Sequence, residues 1–221
     1  MADNSDTVSI GLGNLDVLLT TDGIPIGQMG TLISTPESSS YRLLLQMAMD
    51  DPSETVYFTN NHNDKKISGD MSSIFENDST ADVVNIRHMP ADDIVSKIND
   101  IDFENTSVVI VDSIDDIDGI GDSNTLNELR DISREGDIVI LLHQIETEAG
   151  GDFSFDSVDL TYMSDFLFGI SKSRVEQSIR QRFMIYRIPN RSELDTTQND
   201  SGVVEIEYLK TNLAVDSGER I

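Results

Sequence analysis

Two uninterrupted apolar runs constrain the fold of this chain more than any other feature. Ser107-Val108-Val109-Ile110-Val111-Asp112-Ser113 ends in a carboxylate, and Ile138-Val139-Ile140-Leu141-Leu142-His143-Gln144 ends in an imidazole and an amide. A run that is apolar at every position, not every second one, has no face to turn to water. It reads as a strand covered on both sides, as in a parallel sheet. Parallel neighbours need a crossover. The segment between the runs supplies one, with Leu126, Leu129 and Ile132 at helical spacing behind an Asp-rich stretch.

The rest of the chain extends this pattern. Residues 1–8 are polar and acidic and read as a flexible tail. Ile10 to Gly27 carries Leu12, Leu15, Val17, Leu18 and Leu19 before the breaker run Asp22-Gly23-Ile24-Pro25-Ile26-Gly27, which suggests a short helix closed by a turn. Gly30–Thr35 reads as a strand, Ser38–Met49 as a helix presenting Leu43, Leu44, Met47 and Ala48, and Thr55–Thr59 as a second strand. Residues 60–82, rich in Asn, Asp, Ser and Lys, read as loop. Val83–Ile86 follows as a strand, and Pro90 opens a helix carrying Ile94, Val95, Ile98 and Ile101. Asp165–Ser171, Arg182–Ile188 and Val203–Leu209 are strand-like with little helix between them, suggesting an antiparallel extension on the sheet edge. The expectation is an α/β fold of three layers with a mainly parallel central sheet and antiparallel C-terminal strands. One domain over residues 9–215 would carry it, between the 1–8 tail and a 216–221 tail.

Charge bounds the partners. The 221 residues carry 41 acidic side chains against 15 basic ones, a formal net charge of -26. Such a surface repels nucleic-acid phosphates and anionic lipid, so direct nucleic-acid binding is not expected. No apolar run approaches the roughly 20 residues of a membrane span, and the acidic N-terminus is neither a signal nor a transit peptide, which points to the cytoplasm. The chain has no Cys, excluding disulfides, thiolate zinc sites and thiol nucleophiles. Its 28 Asp and only 5 Lys resemble the surfaces of proteins from salt-loving archaea. Molar salt shortens the Debye length to ~3 Å and screens the self-repulsion.

The chemistry-bearing segment is Leu32-Ile33-Ser34-Thr35-Pro36-Glu37-Ser38-Ser39-Ser40-Tyr41-Arg42-Leu43, a strand running through a small-residue loop into a helix, with the later strand end Val109-Ile110-Val111-Asp112 beside it in the pattern. This is the layout of a phosphate-loop NTPase. Gly23-Ile24-Pro25-Ile26-Gly27, just before the first strand, resembles the corresponding turn of KaiC/RecA-like ATPases. Ile138–Gln144 is similar to that family's core strand ending in a polar sensor, and Phe183-Met184-Ile185-Tyr186-Arg187 to its late strand ending in a basic residue. The resemblance implies a RecA-like fold, ATP with Mg²⁺ as ligand, and an oligomer with nucleotide at subunit interfaces.

The departures from the motif decide the functional expectation. An active loop needs Gly-x-x-x-x-Gly-Lys-[Ser/Thr], so that backbone N–H groups and Lys cradle phosphate and the hydroxyl holds Mg²⁺. Thr35, Ser40, Tyr41 and Arg42 occupy those four positions, and Glu37 adds a negative charge. Where the family has an activating Glu, this chain has Asn60-Asn61-His62. The expected site is therefore a degenerate one, built from Thr35, Pro36, Glu37, Ser38, Ser39, Ser40, Tyr41, Arg42, Asp112 and Gln144, with no catalytic residue. The resulting expectation is a pseudo-ATPase with no required cofactor. It would act as a regulatory or scaffolding protein on a protein partner or in a homo-oligomer, an active paralogue included. The alternatives are an ATPase using an unorthodox loop with ATP and Mg²⁺, and a recombinase-paralogue accessory protein in DNA repair.

Other residues admit two readings. Arg42 either reaches an anion at the helix N-terminus or is a solvated helix residue beside Glu37. His143-Gln144 either senses a ligand or satisfies groups at the strand exit. Asp112, Asp115, Asp116, Asp118 and Asp122 lack the Gly and Glu of a calcium loop and read as acidic surface. Arg180, Arg182, Arg187 and Arg191 are a candidate interface, or they pair locally. His62, His88 and His143 are scattered and propose no zinc site, and no Ser–His–Asp spacing points to a hydrolase.

Overall fold

In the first apolar run the side chains alternate between two cores. Val108 and Ile110 pack on one face of the sheet, and Val109 and Val111 on the other. The second run does the same, with Val139 and Leu141 on the first face and Ile138, Ile140 and Leu142 on the second. The computed structural model describes residues 7–9, 23–36, 38–75, 81–146, 158–175, 178–187, 203–208 and 213–215. The helix expected between Ile10 and Gly27 lies mostly outside them.

The strands are β1 (Thr7–Val8), β2 (Ile24–Pro25), β3 (Met29–Ser34), β4 (Thr55–Thr59), β5 (Asp82–Asn85), β6 (Val108–Asp112), β7 (Val139–Ile145), β8 (Phe166–Val175), β9 (Ser178–Arg187), β10 (Val203–Tyr208) and β11 (Leu213–Val215). The helices are α1 (Ser40–Asp50), α2 (Asp64–Phe75), α3 (Ala91–Asn99), α4 (Ser123–Glu135) and α5 (Val158–Met163). Nine strands form one sheet in the order β11-β10-β9-β8-β3-β7-β6-β4-β5. From β5 to β8 the pairings are parallel, and β8 through β11 are antiparallel. Leu43, Leu44 and Met47 of α1 and Ile67 and Met71 of α2 cover one face; Ile94 and Ile98 of α3, Leu126 and Leu129 of α4 and Leu160 of α5 cover the other. This is the expected three-layer α/β architecture.

Three expectations change. Residues 64–75 form a helix, not a loop. Ile67, Met71, Ile74 and Phe75 fall at helical spacing, and Ile67 and Met71 are fully buried; the Asn-, Asp-, Ser- and Lys-rich composition around them hides that pattern. Strand β8 does not belong to an antiparallel edge alone. It lies parallel to β3, with Gly30 opposite Phe166, and only its other side begins the antiparallel extension. Thr7 and Val8, within the stretch expected as tail, pair with Pro25 and Ile24 in a separate two-stranded ribbon.

Close approach explains one glycine. A Cβ on Gly30 would lie 2.2 Å from the ring of Phe166, which is fully buried, so β3 and β8 pair only because position 30 has no side chain.

Candidate functional site: a buried polar chain at the strand ends

Ligands of open parallel sheets bind beyond the carboxyl ends of the strands. Here those ends carry Ser34 (β3), His143 (β7) and Asp112 (β6), and Tyr57 stands midway along β4. Period-two alternation puts all four on the face covered by α1 and α2, because Leu32, Leu141, Ile110 and Tyr57 itself pack there. They meet in one hydrogen-bonded chain. Ser34 Oγ lies 2.8 Å from His143 Nε2, and His143 Nδ1 lies 2.6 Å from Asp112 Oδ1. The Tyr57 hydroxyl donates to Asp112 Oδ2 at 2.6 Å. All four residues are buried, none more than 3% exposed.

The electrostatics follow from that geometry. Burial alone would raise the Asp112 carboxyl, but the hydrogen bond and charge of His143 and the hydroxyl of Tyr57 outweigh it and hold the group below the ordinary carboxylate value. Burial, then the charge of Asp112 and its hydrogen bond, push the Tyr57 phenol well up, so it remains a donor. An ionised carboxylate only accepts, so His143 Nδ1 is the donor to Asp112, while Nε2 and the Ser34 hydroxyl close the other end of the chain.

A second cluster lies near enough for the Asp112 charge to act on its Tyr41 and His62. The Tyr41 hydroxyl, in the first turn of α1, donates to Asp70 Oδ2 of α2 at 2.7 Å. Lys66 Nζ pairs with the same oxygen at 2.5 Å and sits 4.7 Å from the Tyr41 ring centroid. His62 meets that ring edge-on at 4.6 Å. Burial, then the hydrogen bond and charge of Asp70, raise the Tyr41 phenol, and burial with the nearby Lys66 charge lowers His62. Asn61 Nδ2 donates to Ser113 Oγ at 2.9 Å, and Asn60 N to Asp112 O at 2.6 Å.

Backbone hydrogen bonds tie the start of the β3–α1 loop to β8 and to the loop itself. Thr35 N donates to Ile170 O of β8 at 3.2 Å, and Ser38 N to Thr35 O at 3.0 Å. Pro36 has no N–H to offer. Ser38 and Ser39 are half-buried and Ser40 is buried, with Ser38 Oγ accepting from Ser40 N at 3.4 Å. The Ser39 side chain makes no capping bond to α1. Thr35 Oγ1 is buried without a hydrogen-bond partner. Arg42 and Gln144 are half-buried at the rim, and Glu37 lies outside the described residues.

The structure thus brings Thr35, Tyr41 and Asp112 to the same end of the sheet and adds Ser34, Tyr57, His143, Lys66 and Asp70. Alternation along the strands carried a usable signal for Ser34, Tyr57 and His143, since each falls in step with a core residue of its own strand. Asp70 has no such signal of its own, since it is a polar residue on a helix that only the spacing of Ile67, Met71, Ile74 and Phe75 marks. Contrary to the sequence reading, a Ser–His–Asp chain does form. It has the hydrogen-bond order of nucleophile, base and orienting carboxylate, but Ser34 is wholly buried, and a hydroxyl sealed from solvent meets no substrate carbonyl.

The remaining candidates separate. Arg187 donates to the carbonyls of Thr161 and Ser164, each at 2.8 Å, which is local pairing at the end of α5. The backbones of Arg180 and Arg182 pair within β8–β9–β10, and Arg191 lies outside the described residues. Asp115, Asp116, Asp118 and Asp122 are exposed, and both Asp115 carboxylate oxygens accept from Ile145 N at 3.0 Å. No helix among the described residues is long and apolar enough to cross a membrane.

Comparison with solved structures identifies the architecture. The KaiC-like protein PH0186 from the hyperthermophilic archaeon Pyrococcus horikoshii OT3 superposes with a TM-score of 0.72 at 16% identity, over 95% of this chain and 98% of that one. The fold is therefore KaiC-like, of the RecA type. In all, 655 solved chains match, so architecture by itself selects no single activity. No curated protein matches the sequence. A family model matches residues 7–217, and the chain belongs to that family, the family of unknown function DUF7125.

Proposed function

We propose that this chain is a pseudo-ATPase: a RecA/KaiC-like module of a halophilic archaeon that works in the cytoplasm as a regulatory or scaffolding protein. It acts through contacts with a protein partner, a sister subunit or an active paralogue. One observation carries the reading. Both oxygens of Asp112, the carboxylate that would hold Mg²⁺, are engaged by His143 and Tyr57 in a buried network. Two further features support it. Tyr41 stands at the phosphate-binding Lys position with its hydroxyl on Asp70, and the loop offers Thr35 and Pro36 where an anion cradle needs glycine and a free N–H. These residues do not fit a Mg²⁺–triphosphate.

The test is turnover of ATP with Mg²⁺ in molar KCl, beside thermal unfolding at millimolar nucleotide. We expect no turnover and no shift; a ligand at 100 times its Kd would add ~2.7 kcal/mol of stability. Turnover abolished by Asp112→Asn sinks the proposal. A shift without turnover favours the second reading, nucleotide binding without hydrolysis, which the unpartnered Thr35 hydroxyl at the start of the loop supports.

A further inference from the structure

The ring of His143 sits on the strand between β3 and β6, and its two nitrogens point to opposite neighbours, Ser34 at 2.8 Å and Asp112 at 2.6 Å. Tyr57 carries the same chain on to β4. With the proton on Nδ1, every donor and acceptor of the ring is used without a ligand. A fully satisfied buried network specifies one arrangement, whereas a partly satisfied one does not. The backbone reinforces it: Ile114 N donates to His143 O at 2.9 Å, so the segment leaving β6 is tied to the same residue. From the other side, Tyr41 ties the first turn of α1 to Asp70 and Lys66 of α2.

We propose that His143 is a built-in clasp that locks the ends of β3 and β6 and the β3–α1 loop into one ligand-independent arrangement. It does with a side chain what a bound ligand would do in a switchable site. The surface above the strand ends is then constitutive, set at folding and not gated. This inference rests on the pseudo-ATPase reading and adds the device that makes it permanent.

Hydrogen exchange on the full chain in molar KCl, with and without millimolar Mg²⁺–ATP, tests it. Ser34→Ala cuts the β3 half and leaves the Asp112–His143 pair. His143→Asn keeps a donor for Asp112 but falls short of Ser34. In both variants we expect the amides of Thr35 and of residues 38–43 to exchange roughly tenfold faster or more, with α3 unchanged and the wild type indifferent to nucleotide. Unchanged exchange of these amides in both variants overturns the clasp and leaves the pseudo-ATPase reading standing. Slower exchange in the wild type on adding nucleotide overturns that reading and the clasp with it.

Discussion

Asp112 stays ionised where burial alone would neutralise it, because His143 and Tyr57 stabilise its charged form. Its folded-state pKa lies below the unfolded value of about 3.9. The resulting stabilisation is therefore fully present above pH ~4 and lost as pH falls through the folded value. Chemical unfolding of wild type and Asp112→Asn across this range should show the gap between them widest at neutral pH and closing in acid. A gap independent of pH would mean that the charge is not what Tyr57 and His143 support. Tyr57→Phe removes one hydrogen bond to a buried carboxylate, and we expect about 1.5–3 kcal/mol of lost stability, readable from the denaturation midpoint at constant slope.

At the scale of elements, two glycines make opposite predictions. Gly30→Ala forces a Cβ into the buried Phe166 ring between β3 and β8 and should cost about 1–3 kcal/mol. Gly69 is exposed in the middle of α2, with nothing within 4 Å of an added Cβ, so Gly69→Ala should stabilise by roughly 0.5–1 kcal/mol. Melting temperatures of the two variants check both signs, and a loss for Gly69→Ala would argue against a helix over residues 64–75. That helix does carry a periodic signal in Ile67, Met71, Ile74 and Phe75, but the polar composition of residues 60–82 outweighs it and points to a loop. The parallel strands were legible for the reverse reason: burial on both faces leaves no room for polar residues.

Over the whole molecule, the net charge of -26 opposes compaction. Raising salt from 0.1 M to 1 M shortens the Debye length from ~10 Å to ~3 Å, so the unfolding temperature should climb with KCl across that range. A flat or falling profile would remove the salt-adapted reading. Screening reaches the exposed carboxylates and not the buried Asp112–His143 pair, so the effect of Ser34→Ala on exchange should be the same in 0.1 M and 1 M KCl.

The sequence alone determined the layered α/β architecture, the direction of its central strands and the absence of a Gly-x-x-x-x-Gly-Lys-[Ser/Thr] motif from residues 35–42, because these depend on burial patterns and residue types within short windows. Only the tertiary structure decided how Asp112 is used. Its partners Tyr57 and His143 lie 55 and 31 positions away, and Ser34 lies 109 from His143. Strand order and register, set by the packing of α1 and α2 over one face, bring the four together. The same local motif, an apolar strand ending in Asp, serves an open ion site or a closed internal network depending on which side chains the neighbouring strands deliver to its oxygens.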